Sequence, residues 1–163
     1  MNGKTAMLPG TFDPPTNGHI NIIERSASLY DKVYIVVADN IYKKCLFSVE
    51  ERVSMLESLL SQYKNITVAS YQGLVVEFAK KNGIDVIIRG VRALADFSYE
   101  FELAMTNKQL YPEIETLFIP TDPNYFILRS SAIKELALYK ADISKMVPPA
   151  VAALLEEKYS KLS

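Results

Sequence analysis

The sequence predicts a single α/β domain built around a five-stranded parallel sheet. Short runs rich in β-branched residues alternate with longer segments of helical periodicity, which is the pattern of βαβ units. The chain has 163 residues, of which 49% are hydrophobic and 23% charged, and this suits one compact domain that buries its own core. No linker or internal repeat interrupts the alternation, so we expect residues 1–163 to form one domain.

The predicted strands are short and rich in valine, isoleucine and threonine. They are Thr5 to Leu8, Lys32 to Ala38, Ile66 to Ser70, Val86 to Arg89 and Thr116 to Pro120. Strands of this kind, each separated from the next by a helix, form a Rossmann-like doubly wound sheet with helices on both faces. Ligands of such sheets bind outside the carboxyl ends of the strands, so the residues that follow each strand are the first functional candidates.

Helical periodicity is clearest between the second and third strands. Apolar residues recur there at Val49, Val53, Leu56 and Leu60, and Ser48 with Glu51 forms a capping box. The other helices are predicted at Gly18 to Leu29, Leu74 to Asn82, Asp96 to Gln109, Ser130 to Leu138 and Pro148 to Lys158. We expect residues 148–163 to pack on the domain as a C-terminal helix.

Charge and cysteine content exclude several classes of function. Lysine and arginine total 18 against 19 acidic residues, a net charge of -1, which gives no general attraction for nucleic acid or an anionic membrane. The single cysteine, Cys45, cannot form an intramolecular disulfide, and the first residues lack the apolar run of a signal peptide or a spanning helix. We therefore expect a cytoplasmic protein in which any anion site is local.

The loop after the first strand, residues 9–19, is the first candidate site. Gly10 and Gly18 allow close approach of the backbone, and the start of the following helix offers free amides and a positive dipole to a phosphate. His19, the only histidine, could donate to a phosphate oxygen, although a lone histidine at a helix start is more often a capping or surface residue. Asp13 could ligate a metal or act as a base, but a turn-stabilising role is favoured.

Basic residues follow two other predicted strands. Lys43 and Lys44 lie in the loop after the second strand, and Arg89 and Arg92 flank Gly90 at the end of the fourth. Guanidinium groups bind oxyanions through paired hydrogen bonds, although a solvated turn or a surface ion pair would explain the same residues. Further along, hydroxyls precede the fifth helix in the segment 125–131, where helix capping is the alternative to phosphate binding.

These motifs together resemble one family. Thr16-Asn17-Gly18-His19 resembles the signature tetrad of the nucleotidyltransferase superfamily. The segment 10–14, Gly-Thr-Phe-Asp-Pro, is a more specific match within that superfamily. The second segment, Arg89-Gly90-Val91-Arg92 followed by Asp96-Phe97 and Tyr99-Glu100, is similar to bacterial phosphopantetheine adenylyltransferases. The resemblance covers nearly the whole chain.

The resemblance implies a role for each matching residue. The catalytic residues would be His19, Lys43 and Arg92, and His19 would stabilise the transition state. The phosphopantetheine contacts would be Thr11, Lys43, Val75 and Arg89. The ATP contacts would be Thr11, Phe12, His19, Gly90, Val91, Arg92, Glu100, Tyr125, Phe126, Ile127, Leu128, Arg129, Ser130 and Ser131. Arg129 departs from the family pattern, because a small hydroxyl residue is usual at its position.

The implied reaction joins the adenylyl group of ATP to 4'-phosphopantetheine and releases pyrophosphate. The resemblance also implies Mg²⁺ bound with the ATP phosphates and no metal ligand from the protein, a homo-oligomer, commonly a hexamer, and inhibition by coenzyme A. Two alternatives remain at this point. One is adenylyl transfer to nicotinamide mononucleotide, and the other is a nucleotide-binding module without turnover, which the altered segment around Arg129 suggests.

Overall fold

The computed structural model describes residues 3–126 and 129–161. These residues contain a five-stranded sheet in which every neighbouring pair is parallel, in the order β3-β2-β1-β4-β5. The strands are β1 Thr5–Gly10, β2 Lys32–Ala38, β3 Ile66–Tyr71, β4 Val86–Val91 and β5 Glu115–Pro120. The chain builds outward from β1 on one side and then crosses back to β4 on the other. The predicted Rossmann-like doubly wound sheet is thus confirmed.

Two strands, β1 and β4, extend two residues further than predicted at their carboxyl ends, and β3 and β5 are each longer by one residue. Pairing of β1 with β2 continues to Gly10, opposite Val37, and pairing of β4 with β5 continues to Val91, opposite Pro120. The sequence does not reveal these ends, because proline and glycine are depleted in strand interiors. The extension places the ends of β1 and β4 at the same edge of the sheet, next to each other, where the direction of winding changes.

The described helices match the predicted ones to within about two residues at most of their ends. They are α1 Asn17–Leu29, α2 Val49–Leu59, α3 Val75–Lys81, α4 Leu94–Leu110, α5 Ser130–Leu138 and α6 Pro149–Ser160, with a short 3-10 helix at Pro123–Tyr125. The predicted capping box is present at the start of α2, where the Glu51 amide donates to Ser48 Oγ at 3.2 Å and the Ser48 amide donates to Glu51 Oε2 at 2.7 Å. Gly83, with φ of +61°, follows α3 in the left-handed conformation that ends helices.

Alternate residues of the strands supply separate core clusters on the two faces of the sheet. Ala6 and Leu8 of β1 pack with residues of α1 and α2, whereas Met7 packs with residues of α3. A third cluster joins Val151 and Leu155 of α6 to α5 and α2, so the C-terminal helix packs on the domain. None of the helices within residues 3–126 and 129–161 is long and apolar enough to cross a membrane.

Candidate active site

A cleft of about 470 Å³ lies at the carboxyl ends of β1 and β4. The loop after β1, the loop that carries Lys43, the end of β4 and the first turns of α1 and α5 form its walls. Helix N-termini present unpaired amides and a positive dipole, so two such ends at one cleft favour a polyanionic ligand. The volume lies within the range of small-molecule and cofactor sites.

The loop after β1 has an unusual conformation at Phe12. Its φ is +50°, a left-handed value that is uncommon for a bulky residue and is found most often at functional sites. The Phe12 ring is only 1% exposed, and it packs edge-on against the His19 imidazole with ring centroids 5.1 Å apart. A Cβ on Gly10 would lie 2.9 Å from the same ring, so the glycine makes room for it. Phe12 therefore packs against His19 at the wall of the cleft.

His19 is held by a reciprocal capping arrangement with Thr16. The Thr16 amide donates to His19 Nδ1 at 3.0 Å, and the His19 amide donates to Thr16 Oγ1 at 3.2 Å. Because Nδ1 accepts a hydrogen bond, the neutral imidazole carries its proton on Nε2. Within the described residues Nε2 has no partner, and His19 lines the cleft. Capping and ligand contact are therefore compatible in this histidine, because they use different ring nitrogens.

The surroundings of His19 keep the imidazole neutral. Burial of the ring, together with the positive charges of Arg92 and Arg89, lowers the pKa of His19 from 6.5 to about 4. At neutral pH the side chain is then a hydrogen-bond donor without a charge, fixed in direction before any ligand binds.

This pKa predicts a pH dependence of stability. Since the folded pKa lies below the unfolded one, the unfolded chain binds more protons between about pH 4 and 6.5, and stability rises with pH across that window. We expect His19 to account for a loss of about 1 to 3 kcal/mol on acidification from pH 7 to 4, allowing for the partial exposure of the ring. Urea unfolding at several pH values in this window should show that the free energy of unfolding depends less steeply on pH in His19→Gln than in the wild type. An NMR titration of the His19 imidazole with a midpoint near pH 6.5 would contradict the prediction.

The cleft is strongly cationic although the chain as a whole is not. Among the described residues that line it, six are lysine or arginine and three are aspartate or glutamate. The three carboxylates each pair with one cation, which leaves Lys43, Lys44 and Arg129 without an ion-pair partner in the described part of the chain. Lys43 Nζ instead donates to Thr11 Oγ1 at 3.0 Å. A net positive field of this kind concentrates polyphosphate ligands.

The two arginines of β4 and its following loop are paired differently. Arg89 forms a two-point contact with Glu100, through Nε to Oε2 at 2.6 Å and Nη2 to Oε1 at 2.7 Å, and its Nη1 donates to the Pro9 carbonyl at 2.9 Å. Arg92 makes one contact, from Nε to Asp96 Oδ2 at 3.0 Å. Arg89 is therefore the more rigidly held of the two.

Asp13 connects three of the segments around the cleft: the loop after β1, the loop that carries Lys43, and α5. Its carboxylate accepts the amides of Leu46 and Phe47 at 2.9 to 3.1 Å and pairs with Lys134 of α5 at 2.6 Å. Burial alone raises the pKa of this carboxyl, but the Lys134 ammonium and the two amides outweigh burial and hold the pKa below its ordinary value. The interpretation of Asp13 as a local turn-stabilising residue is wrong, because its partners lie more than 30 residues away.

A buried arginine holds the same loop from behind. Arg52 of α2 is 3% exposed, and its guanidinium donates to the carbonyls of Thr11 at 2.8 Å, Ser48 at 3.2 Å and Ala38 at 3.4 Å. Hydrogen bonds to three carbonyls offset the cost of burying the charge. Arg52 thereby ties the loop after β1 to α2.

Most of the residues predicted for the site lie in this one cleft. Those that line it are Thr11, Phe12, His19, Lys43, Arg89, Gly90, Arg92, Glu100, Tyr125, Arg129, Ser130 and Ser131. Three predicted contacts are not among the lining residues. Val75 packs in the core cluster around α3, Val91 pairs with Pro120 in the sheet, and Phe126 is exposed. Ile127 and Leu128 lie outside the described residues.

Sequence reasoning missed Asp96 and Lys134 as cleft residues. Asp96 lies four positions after Arg92, and Lys134 four positions after Ser130 on α5. Ser130 and Lys134 share one face of α5, whereas Arg92 precedes α4 and meets Asp96 in the first turn of that helix. A search for partners four positions after each candidate would have found both. Ser130 itself donates from Oγ to the Pro14 carbonyl at 2.9 Å, which joins α5 to the loop after β1.

Comparison with known proteins places this cleft in a family. Residues 7–136 match the cytidylyltransferase-like family model. A phosphopantetheine adenylyltransferase from Clostridium perfringens is 45% identical over 98% of this chain and 97% of its own length, and one from Dictyoglomus thermophilum is 49% identical over 94% of each. The crystal structure of a putative nicotinate-nucleotide adenylyltransferase from Vibrio parahaemolyticus has the same fold, with a TM-score of 0.72 and 18% identity, and the match covers 98% of this chain and 96% of that one.

The relatives match the chain end to end at an identity that establishes common descent. The chain belongs to the phosphopantetheine adenylyltransferase family.

Proposed function

We propose that this protein transfers the adenylyl group of ATP to 4'-phosphopantetheine, giving dephospho-coenzyme A and pyrophosphate. The observation that carries the proposal is the fixed Nε2 donor of His19, which faces the same cleft as Lys43, Arg89 and Arg92. A neutral donor among cations suits a phosphate that gains charge as it reacts. Family membership supports the choice of acceptor.

The reaction needs no nucleophile from the protein. A phosphate oxygen of phosphopantetheine attacks the α-phosphorus of ATP, a new oxygen–phosphorus bond forms, and the bond to the bridging oxygen of the β-phosphate breaks, so that pyrophosphate leaves. The attacking phosphate is largely ionised at neutral pH, so no general base is required. Catalysis then consists of alignment and charge stabilisation.

Each wall of the cleft has a role in this scheme. His19 Nε2 donates to an oxygen of the α-phosphate, and Lys43 and Arg92 neutralise the charge that develops there. Arg89 binds the phosphate of the acceptor. The β- and γ-phosphates bind to the amides at the start of α5, to Ser130 and Ser131, and to Arg129, which has no ion-pair partner in the described part of the chain. Arg129 thus offers a cation at a position where the family usually has a small hydroxyl residue.

Magnesium enters this scheme as part of the MgATP substrate. Asp13, Asp96 and Glu100, the described carboxylates of the cleft, are each engaged by a cation, and no group of three or more metal-ligating side chains occurs in the described part of the chain. Mg²⁺ readily keeps its waters and binds through substrate phosphates, so the protein can use the ion without supplying a cage. Dependence of turnover on added Mg²⁺, and its loss in EDTA, test this.

Assembly and regulation form a second part of the proposal. Helix α4 has no buried residue in the described structure, and it exposes Leu94, Phe97, Tyr99, Phe101, Leu103 and Met105. Several exposed apolar side chains on one helix are typical of an interface, and we propose that this surface joins copies of the chain into a homo-oligomer, commonly a hexamer in this family. Sedimentation velocity measures the assembly.

We propose that the enzyme is cytoplasmic and is inhibited by coenzyme A. Coenzyme A contains dephospho-coenzyme A, the product of the proposed reaction, so it would compete with the substrates for the same cleft. Inhibition that rises with coenzyme A and falls with added phosphopantetheine tests this regulation.

A direct assay tests the activity. Purified protein with MgATP and 4'-phosphopantetheine should release pyrophosphate and form dephospho-coenzyme A in equal amounts. Parallel reactions with nicotinamide mononucleotide, which presents the same kind of phosphate on a different group, should give a kcat/KM lower by about 100-fold. Binding of ATP without turnover, or preference for nicotinamide mononucleotide, would overturn the proposal.

A further inference from the structure

Arg52 is a buried cation that has no carboxylate partner. The residue lies in the first turn of α2 and is 3% exposed, and it forms no ion pair in the described part of the chain. It is not among the residues that line the cleft. Burying a charge without a counter-ion is costly, and an apolar side chain of similar length would fill the space without that cost. The hydrogen bonds of the guanidinium, and not its packing, therefore explain an arginine here.

Two of the carbonyls that Arg52 binds lie at the ends of the segment 39–47, which carries Lys43. Ala38 ends β2 and precedes the segment, and its carbonyl accepts from Nη1 at 3.4 Å. Ser48 caps α2 and follows the segment, and its carbonyl accepts from Nε at 3.2 Å. Arg52 thus fixes the two ends of this segment relative to each other.

The shortest of the contacts joins Arg52 to the hydrogen-bond partner of Lys43. Nη1 donates to the Thr11 carbonyl at 2.8 Å, and the Thr11 hydroxyl accepts from Lys43 Nζ at 3.0 Å. One guanidinium therefore holds the backbone of Thr11 and both ends of the segment that carries Lys43. The planar fork of arginine binds these carbonyls in fixed directions from Nε and Nη1 at once, which the single ammonium of a lysine does not reproduce.

We propose that Arg52 is a positioning residue for adenylyl transfer, which places the Lys43 ammonium at the reacting phosphates without itself touching a ligand. This role depends on the proposed function, because Lys43 neutralises the charge that develops on the α-phosphate there. The segment needs such a hold at its ends. Ile41 and Tyr42, which precede Lys43, are 69% and 91% exposed, so packing does not fix this part of the chain.

Replacing Arg52 by lysine is expected to lower kcat by about 10- to 100-fold, because a small displacement of a catalytic group has an effect of this order. The substitution keeps a long side chain and the positive charge, so the loss measures the geometry of the guanidinium and not its charge. Arg25→Lys is the matched control. Arg25 of α1 is exposed and donates to the Pro120 carbonyl at 2.8 Å, and neither residue lines the cleft. Its replacement should leave kcat within about twofold.

A double-mutant cycle with Lys43→Ala separates positioning from a general loss of structure. If Arg52 acts through Lys43, the loss of kcat caused by Arg52→Lys should shrink to about twofold or less once Lys43 is alanine. Losses of kcat that add in full in the double variant would overturn the inference, and so would an unchanged kcat in Arg52→Lys. Circular dichroism and thermal unfolding establish that each variant is folded at the assay temperature.

Hydrogen exchange measures the same hold without turnover. The amides of residues 39–47 should exchange at least about fivefold faster in Arg52→Lys than in the wild type, and at the wild-type rate in Arg25→Lys. Arg52→Gln, which is neutral, is the second variant and should show the same faster exchange and the same coupling to Lys43. If neither Arg52 variant folds, or if exchange in the segment is unchanged in both, Arg52 serves stability alone and the inference is overturned.

Failure of the proposed function gives a different result. If the wild-type protein lacked turnover, or if Lys43→Ala kept the wild-type kcat, the role of Lys43 in the reaction would fail. Hydrogen exchange would still report whether Arg52 orders the segment.

Discussion

Replacing His19 by alanine is expected to lower kcat by about 10²- to 10³-fold, the usual effect of removing one donor from a developing charge. The donor is already oriented, because Thr16 holds Nδ1 and leaves the proton on Nε2. A contact formed only in the transition state changes kcat more than KM. Steady-state kinetics should therefore show KM values for both substrates within about threefold of the wild type.

His19→Gln is the informative companion. Glutamine retains an N–H donor at a similar distance from the backbone, although on a more flexible side chain, so we expect it to recover part of the lost kcat, whereas alanine recovers none. Alanine cannot accept the hydrogen bond of the Thr16 amide, whereas glutamine at the third helical position can accept it through its side-chain oxygen. Circular dichroism and thermal unfolding must therefore show that each variant is folded before the rates are compared. A kcat for His19→Ala within threefold of the wild type would remove the imidazole from the mechanism.

The fold was largely predictable from the spacing of apolar residues and from the residues that begin and end each helix. The strands read as β-branched runs, and the helices as apolar repeats bounded by caps such as Ser48 with Glu51. The strand ends at Gly10 and Val91 were not predictable, because they depend on pairing with neighbours, which local composition does not report. Sheet topology tells which loops meet, and this is why the cleft could be anticipated before any distance was known.

The sequence predicted which residues lie together at the cleft, but it did not predict which of them pair with one another. The sequence brings His19, Lys43, Arg89 and Arg92 to one edge of the sheet. It does not show that Glu100 occupies one edge of the Arg89 guanidinium, because that contact depends on the position of α4 over β4. The roles drawn from the family stay predictions for all of these residues, and Val75, Val91 and Phe126 are not among those that line the cleft.

Replacing Asp13 by alanine is expected to lower the free energy of unfolding by about 3 to 5 kcal/mol. The change leaves the amides of Leu46 and Phe47 without an acceptor and removes the partner of Lys134. Because the amides belong to the loop that carries Lys43, activity should fall as well, even below the unfolding temperature. Thermal unfolding should shift by about 10 °C or more for a chain of this size.

A double-mutant cycle with Lys134→Met separates the two contributions. Lys134 is 25% exposed and can turn toward solvent when Asp13 is lost, whereas the two amides stay fixed in the backbone. The double variant should then be about as unstable as Asp13→Ala alone, within about 1 kcal/mol, and Lys134→Met should cost less than either. If Lys134→Met proved as costly as Asp13→Ala, the ion pair would be the main contact of Asp13, and its role in holding the Lys43 loop through the backbone would be refuted.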